Sequence, residues 1–203
     1  MSSYQATAFK LVLRVLKKRM FSNTDHVALR RLVNNSSRRM PKPPADIDFR
    51  SERIDGIPCL WVKAMGAEPE KLILYLHGGG YIFCSAHTKH KDILWRLSVA
   101  SKCRVIAPDY RLAPEHPYPA ALEDSIKVYR WLLDQGYKPE NIVIAGDSAG
   151  GGLTYGTVLK IRDIGLPLPA ATVAMSPWPD LAVTGESVIT NLKSDALIPG
   201  DVL

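Results

Sequence analysis

Read from its N-terminus, the chain first repeats apolar residues at helical spacing, then alternates short apolar runs with further helical stretches. Phe9, Val12, Leu13 and Leu16 follow an i, i+3, i+4, i+7 stripe, which marks one face of a helix. A second helix is predicted from near Asn23 or Thr24 to about Asn34. Met40-Pro41-Lys42-Pro43-Pro44-Ala45 breaks the pattern, because prolines lack the N–H that a helix needs, and it marks a linker or turn. Beyond it, Ile54-Asp55-Gly56-Ile57-Pro58 reads as a turn between two short strands, the second from Cys59 to Lys63. Leu72 to Leu76 is a continuous apolar run, the pattern of a strand buried on both faces. A helix from about Lys89 to Ser101 follows, with Ile93, Leu94 and Leu97 on one side. Arg104 to Ala107 is the next strand, ended by Pro108. A helix from about Ala120 to Gln135 carries Leu122, Ile126, Tyr129 and Leu133 on one face, and Gly136 stops it. Ile142 to Ala145 is a strand, a helix begins at Ser148, and Ala171 to Met175 is the last clear strand. Such alternation predicts an α/β protein, with a mostly parallel sheet and helices on both faces. Residues 1–45 are expected to form an N-terminal helical segment and residues 46–203 the α/β body.

Composition changes this picture little, but charge refines it. With 203 residues, 46% of them hydrophobic and 23% charged, the chain can bury a substantial core. The formal charge of +6 suggests nucleic acid until it is mapped. Residues 1–45 hold ten Lys and Arg against Asp25 alone, so this segment carries the whole excess and the body is slightly acidic. No nucleic-acid partner is expected; the basic residues read as the solvated face of amphipathic helices. Contact with a membrane surface or an acidic partner is the alternative for that segment. No run of 18 apolar residues exists to span a bilayer. Arg14 interrupts the first apolar stretch and Lys17, Lys18 and Arg19 follow it, which is not the pattern of a signal peptide. Cys59, Cys84 and Cys103 make an odd number without metal-ligand spacing. They read as small buried hydrophobes in a reducing compartment, so the expected location is cytoplasmic.

Two glycine-rich motifs carry candidate chemistry. Gly146-Asp147-Ser148-Ala149-Gly150 fits G-x-S-x-G and lies between an apolar strand and a predicted helix. A turn that tight strains the central serine, projects its hydroxyl into a cleft, and sets it at a helix N-terminus with its free N–H groups. His77-Gly78-Gly79-Gly80 follows the strand Leu72–Leu76. Three successive glycines are entropically costly in a plain loop. They make sense where backbone N–H groups must point at a developing oxyanion. A phosphate cradle is the competing reading, yet neither GxGxxG nor GxxxxGK[ST] is matched.

These motifs, in this order, resemble the hormone-sensitive-lipase-like esterases, also called family IV. The matching runs are His77-Gly78-Gly79-Gly80-Tyr81, Asp109-Tyr110-Arg111-Leu112-Ala113-Pro114-Glu115-His116-Pro117-Tyr118-Pro119-Ala120, Gly146 to Gly151, and Ser176-Pro177-Trp178. The resemblance covers roughly residues 46 to 181 and implies an α/β-hydrolase fold. It implies hydrolysis of short- to medium-chain carboxylic esters through Ser148, without cofactor or metal. Gly79, Gly80 and Ala149 would donate the oxyanion-hole N–H groups, with His77 and Gly78 shaping the loop. The basic N-terminal helices resemble the family's cap over the acyl pocket. The Asp109–Ala120 run reads as scaffold: Pro108, Pro114, Pro117 and Pro119 stiffen it, and Arg111 is expected to pair with Asp109 or Glu115. Asp147 is expected to brace the elbow.

The chain departs from the family where proton transfer is concerned. In this fold the order is Ser, then Asp or Glu, then His. Here His26, His77, His87, His90 and His116 all precede Ser148, and only 55 residues follow it. Truncation of a longer esterase, with the last strands missing, is the favoured expectation, and weak or absent turnover follows from it. A non-catalytic, small-molecule-binding relative is the rival, since plant gibberellin receptors resemble this family and lack the catalytic histidine. Recruitment of His87, His90 or His116 as base is the third possibility. An unpaired apolar edge at Ala171–Met175 would favour self-association.

Overall fold

A computed structural model describes residues 3–21, 26–36, 41–191 and 194–195. The chain divides into two compact units, Met1–Leu29 with Asp180–Leu203, and Arg30–Pro179. Helix α1 (Tyr4–Phe21) belongs to the first unit; Phe9 and Val12 of its apolar stripe are exposed and Leu13 is half-buried. Helix α2 (His26–Ser36) spans the boundary. Its expected start at Asn23 or Thr24 lies outside the described residues. The short helix α6 (Glu186–Thr190), unforeseen by the pattern, completes the first unit, after a turn in which Asp180 Oδ2 accepts the Thr184 N–H at 2.7 Å.

The second unit is built on one six-stranded sheet of order β1-β2-β4-β3-β5-β6. Its strands are β1 (Asp48–Ile54), β2 (Ile57–Lys63), β3 (Glu68–Leu76), β4 (Cys103–Pro108), β5 (Ile142–Asp147) and β6 (Ala171–Met175). The pairs β4–β3, β3–β5 and β5–β6 are parallel, and β1 and β2 add an antiparallel hairpin at one side. The hairpin turn is tighter than the pattern suggested. Only Asp55 (φ 48°) and Gly56 (φ 82°) stand outside the strands, a two-residue loop with both φ positive whose twist suits the flanking strands.

Alternation along β3 explains why its run is wholly apolar. Leu72, Leu74 and Leu76 pack with Ile126, Tyr129 and Leu132 of α4 (Ala120–Asp134) and with Leu153 and Ile161 of α5 (Ala149–Asp163). Ile73 and Tyr75 pack on the other face, with Leu94 of α3 (Lys91–Ser101). Each face therefore buries its own core, as expected of a central parallel strand. Helix α3 begins two residues later than the pattern predicts, and α5 begins at Ala149 because Ser148 is not helical. Strand β6 is the sheet edge beside β5, and Val173 on it is exposed. No described helix is long and apolar enough to cross a membrane.

Candidate active site

The C-terminal ends of β3 and β5, adjacent in the sheet, bring the two glycine motifs together. Leu76 pairs with Gly146 in register, so His77-Gly78-Gly79-Gly80 leaves the sheet beside Gly146-Asp147-Ser148-Ala149-Gly150. Ser148 sits between β5 and α5 with φ 51° and ψ −121°, a conformation that a residue with a Cβ adopts only under strain. Three backbone bonds hold it there. Its N–H donates to Met175 O at 2.9 Å, and its carbonyl accepts from Trp178 N at 2.9 Å and Gly152 N at 3.1 Å. The flanking glycines are dictated by crowding. A Cβ on Gly150 would overlap the carbonyl oxygens of Leu76 and His77, and one on Gly146 would overlap those of Gly150 and Leu76.

The glycine loop turns at Gly79 (φ 125°) and Gly80 (φ 58°). Among the described residues the N–H groups of Gly79 and Gly80 have no backbone acceptor, whereas the Gly79 carbonyl accepts from Ile82 and Phe83. Ala149 is the first residue of α5, so its N–H has no acceptor a turn earlier. Gly78 differs: its N–H donates to Asp147 Oδ1 at 2.8 Å and also faces His90 Nε2 at 3.2 Å. The loop is thus fastened through its first glycine, leaving the next two free to donate.

Asp147 joins several groups. It accepts from the Tyr75 hydroxyl at 2.8 Å and from His90 Nε2. Burial pushes its carboxyl up, but the bonds from His90, Tyr75 and the Gly78 N–H outweigh that and hold it below the ordinary aspartate value. A carboxylate so engaged acts as a brace, as expected. His77 is fully buried, stacked on Tyr110 at 4.2 Å between ring centroids, with Nδ1 2.8 Å from Gly78 O. Burial lowers its pKa to about 4, so the ring is neutral near pH 7. Tyr110 donates its hydroxyl to the His77 carbonyl.

Of His77, His87, His90 and His116, only His90 reaches the elbow, and it does so at Asp147 and not at Ser148. His87 bonds to Ser51 and Asp109, His90 to Asp147, and His77 to Gly78; His116 is exposed. No histidine is hydrogen-bonded to Ser148 among the described residues.

The proline-rich run behaves as scaffold, with different partners from those its spacing suggested. Arg111 pairs with Asp124, whose side chain is buried, and with Glu123; it pairs with neither Asp109 nor Glu115. Glu115 is held instead by Arg30 of α2, at 2.6 and 2.7 Å to its two oxygens. The same guanidinium donates from Nε to Ile82 O at 2.6 Å and from its other nitrogen to Ala113 O. One arginine therefore ties α2 to both the glycine loop and the proline run. Sequence reading missed Tyr75 and Arg30 and weighed His90 only as a recruited base, not as a partner of Asp147: their partners lie 72, 85 and 57 positions away, and no local signal marks them. Of the cysteines only Cys59 is fully buried; Cys84 and Cys103 are half-buried, and all three are free.

Comparison with known proteins agrees with this geometry. The alpha/beta hydrolase fold family matches residues 73–202. An acetyl-hydrolase of Streptomyces hygroscopicus is 43% identical over 138 residues, covering 68% of this chain and 46% of that protein. An esterase of Acinetobacter venetianus is 37% identical over 176 residues, 87% of this chain and 57% of its own length. The chain thus spans about half the length of these curated relatives. Among solved structures, an esterase from the bacterial hormone-sensitive lipase family superposes with a TM-score of 0.89 at 39% identity, over 100% of this chain and 67% of that one. EstE5, soaked with p-nitrophenyl butyrate, gives 0.87 at 38% identity over 99% of this chain and 67% of its own. With the elbow, the glycine loop and the sheet all in place, the chain belongs to the hormone-sensitive-lipase-like esterases of the α/β-hydrolase fold.

Proposed function

We propose that the protein hydrolyses carboxylic esters of short to medium chain through an acyl-enzyme on Ser148. The observation that carries this reading is the strained serine at φ 51°, set beside two glycine N–H groups without backbone acceptors and the first N–H of α5. Ser148 Oγ would attack the ester carbonyl, and the resulting oxyanion would be held by the N–H groups of Gly79, Gly80 and Ala149. Such preorganised donors strengthen as charge develops and need no reorganisation during the reaction. His77 and Gly78 keep the loop in shape. The proton on Ser148 needs a base, and an acid must orient that base. In the order serine, acid, histidine the base would follow Ser148, and these 203 residues hold no histidine there. Turnover by these 203 residues alone is expected to be weak. In the free cytoplasm, on the count of its cysteines, it would act on small-molecule esters, and the β6 edge would favour self-association.

Hydrolysis of p-nitrophenyl butyrate by the 203-residue chain, with and without added imidazole, tests the reading. Imidazole as an external base is expected to raise the parent rate and leave Ser148→Ala at background. Equal rates in both proteins at every imidazole concentration would remove Ser148 from the chemistry.

A binding role at the same site is the second reading, favoured by the absence, among the described residues, of a histidine bonded to Ser148. Calorimetric binding of an ester that is not consumed, even with imidazole present, would select it.

A further inference from the structure

A second serine in the Arg30–Pro179 unit has the hydrogen-bonded base that Ser148 lacks. Ser51 lies on β1 at the sheet edge, exposed to solvent. Its Oγ is 3.1 Å from His87 Nε2. The opposite nitrogen, His87 Nδ1, is 2.7 Å from Asp109 Oδ2. The other carboxylate oxygen of Asp109 accepts the Ala86 N–H at 2.6 Å, and the Asp109 N–H donates to Pro58 O at 2.7 Å. The carboxylate is therefore fixed on both sides of its own residue. The His87 N–H is also bonded, to Ser85 Oγ at 3.1 Å.

This arrangement assigns the tautomer. An ionised carboxylate can only accept, so the proton of neutral His87 resides on Nδ1. Nε2 then presents its lone pair to the Ser51 hydroxyl, which donates. Nucleophile, base and orienting acid are each within hydrogen-bond reach of the next, which is the general signature of an activated nucleophile. Chain order does not matter to that logic, because such a relay is recognised by geometry and roles. His87 and Asp109 have side chains 32% and 23% exposed, so a small reagent can reach the relay from solvent.

We propose that Ser51, His87 and Asp109 form a second nucleophilic site, at which Ser51 is acylated by activated aryl esters. In this step Ser51 Oγ bonds to the acyl carbon, the bond between the acyl carbon and the aryloxy oxygen breaks, and the serine proton passes to His87 Nε2 and then to the departing aryloxide. The products are acyl-Ser51 and a phenol. Aryl esters suit the site because a good leaving group reduces the demand for the oxyanion donors that the glycine loop offers at Ser148.

The test is acetylation of the 203-residue chain by p-nitrophenyl acetate, followed by proteolysis and mass-spectrometric location of the acetyl group over time. Exposed Ser187 serves as the control serine within the same molecule. Ser51 is expected to be acetylated at least about a hundredfold faster than Ser187, the lower end of the range that a positioned general base contributes. Ser148→Ala is expected to leave this labelling intact, and His87→Gln to bring Ser51 down to the Ser187 rate. Labelling of Ser51 no faster than Ser187 in the parent overturns the proposal, as does labelling unchanged by His87→Gln. Because the modified serine is identified directly, loss of Ser51 labelling leaves the reading of Ser148 untouched, and the converse holds.

Discussion

Asp147 Oδ1 accepts the backbone N–H of Gly78 at 2.8 Å, so the residue preceding the elbow serine fastens the first glycine of the HGGG loop. The two motifs lie 69 residues apart in the chain and meet because β3 and β5 are neighbours in the sheet. Gly78 pays for this closeness in size: a Cβ there would overlap the Asp147 carboxylate. The link sets where the next two N–H groups point, which gives Asp147 a positioning role that its place beside Ser148 leaves unstated.

Replacing Asp147 by Ala removes the acceptor for the Gly78 N–H, the Tyr75 hydroxyl and His90 at once. The expected loss of stability is about 3 kcal/mol, the scale of stranded buried donors and bonds to a charged group. Urea denaturation measures it. Asp147→Asn, which keeps one carbonyl oxygen, is expected to lose less. Equal stability of Asp147→Ala and the parent would show that the brace carries no weight.

Glycines of α5 are expected to respond in opposite directions. Gly150→Ala places a methyl inside the carbonyl oxygens of Leu76 and His77, and the forced shift is expected to cost about 3 kcal/mol. Gly156→Ala meets only Leu122 Cδ1 at 3.9 Å. There, alanine's better helix propensity is expected to add about 0.5–1 kcal/mol. Thermal unfolding of the two variants side by side checks both signs.

Strain at Ser148 gives a separate expectation. Glycine tolerates φ 51° with ψ −121° far better than a residue with a Cβ. Ser148→Gly is expected to raise the melting temperature by about 2–4 °C, corresponding to roughly 1 kcal/mol in a chain of this size. Ser148→Ala, which retains the Cβ, is expected to give no such gain. Differential scanning calorimetry of both variants separates backbone strain from loss of the hydroxyl.

The Arg30–Glu115 pair predicts an acid-labile tie between Arg30 of α2 and the proline-rich run. The hydrogen bonds from Arg30 hold the Glu115 carboxyl down at about 2. A group depressed in the folded state stabilises it at pH values above its unfolded value, near 4.5, and that contribution is lost as pH falls towards about 2. The stability difference between the parent and Glu115→Gln is therefore expected to be constant from neutral pH to about 5 and to vanish towards pH 2. A difference independent of pH across that interval would contradict the assignment. Since Glu115 is exposed, salt is expected to reduce the difference as well.

Particular elements mark how far the primary structure could be read. The apolar runs Leu72–Leu76 and Ile142–Ala145 announced two parallel neighbours, because a strand covered on both faces needs apolar residues at every position, whereas Ala171–Met175 lies at the edge with its first three residues exposed. The elbow was legible for a steric reason: at positions 146 and 150, where β5 meets the end of β3, any Cβ would overlap a carbonyl oxygen, so only glycine fits. Spacing was a poor guide to charged pairs. Arg111 was expected to choose the nearby Asp109 or Glu115, and it takes Asp124 and Glu123 from α4 instead, because folding sets that helix alongside the loop. Glu115 then falls to Arg30, 85 positions away.

Local order, the alternation of strands and helices, and the two glycine motifs follow from the residues themselves, since steric limits and hydrophobic periodicity act over a few neighbours along the chain. Which N–H groups stay free, which carboxylate braces Gly78, and which histidine faces Ser51 are decided only when strands β1, β3, β4 and β5 are laid side by side. Hydrogen bonds of about 3 Å depend on positions accumulated over tens of residues, and no local pattern in the chain carries that information.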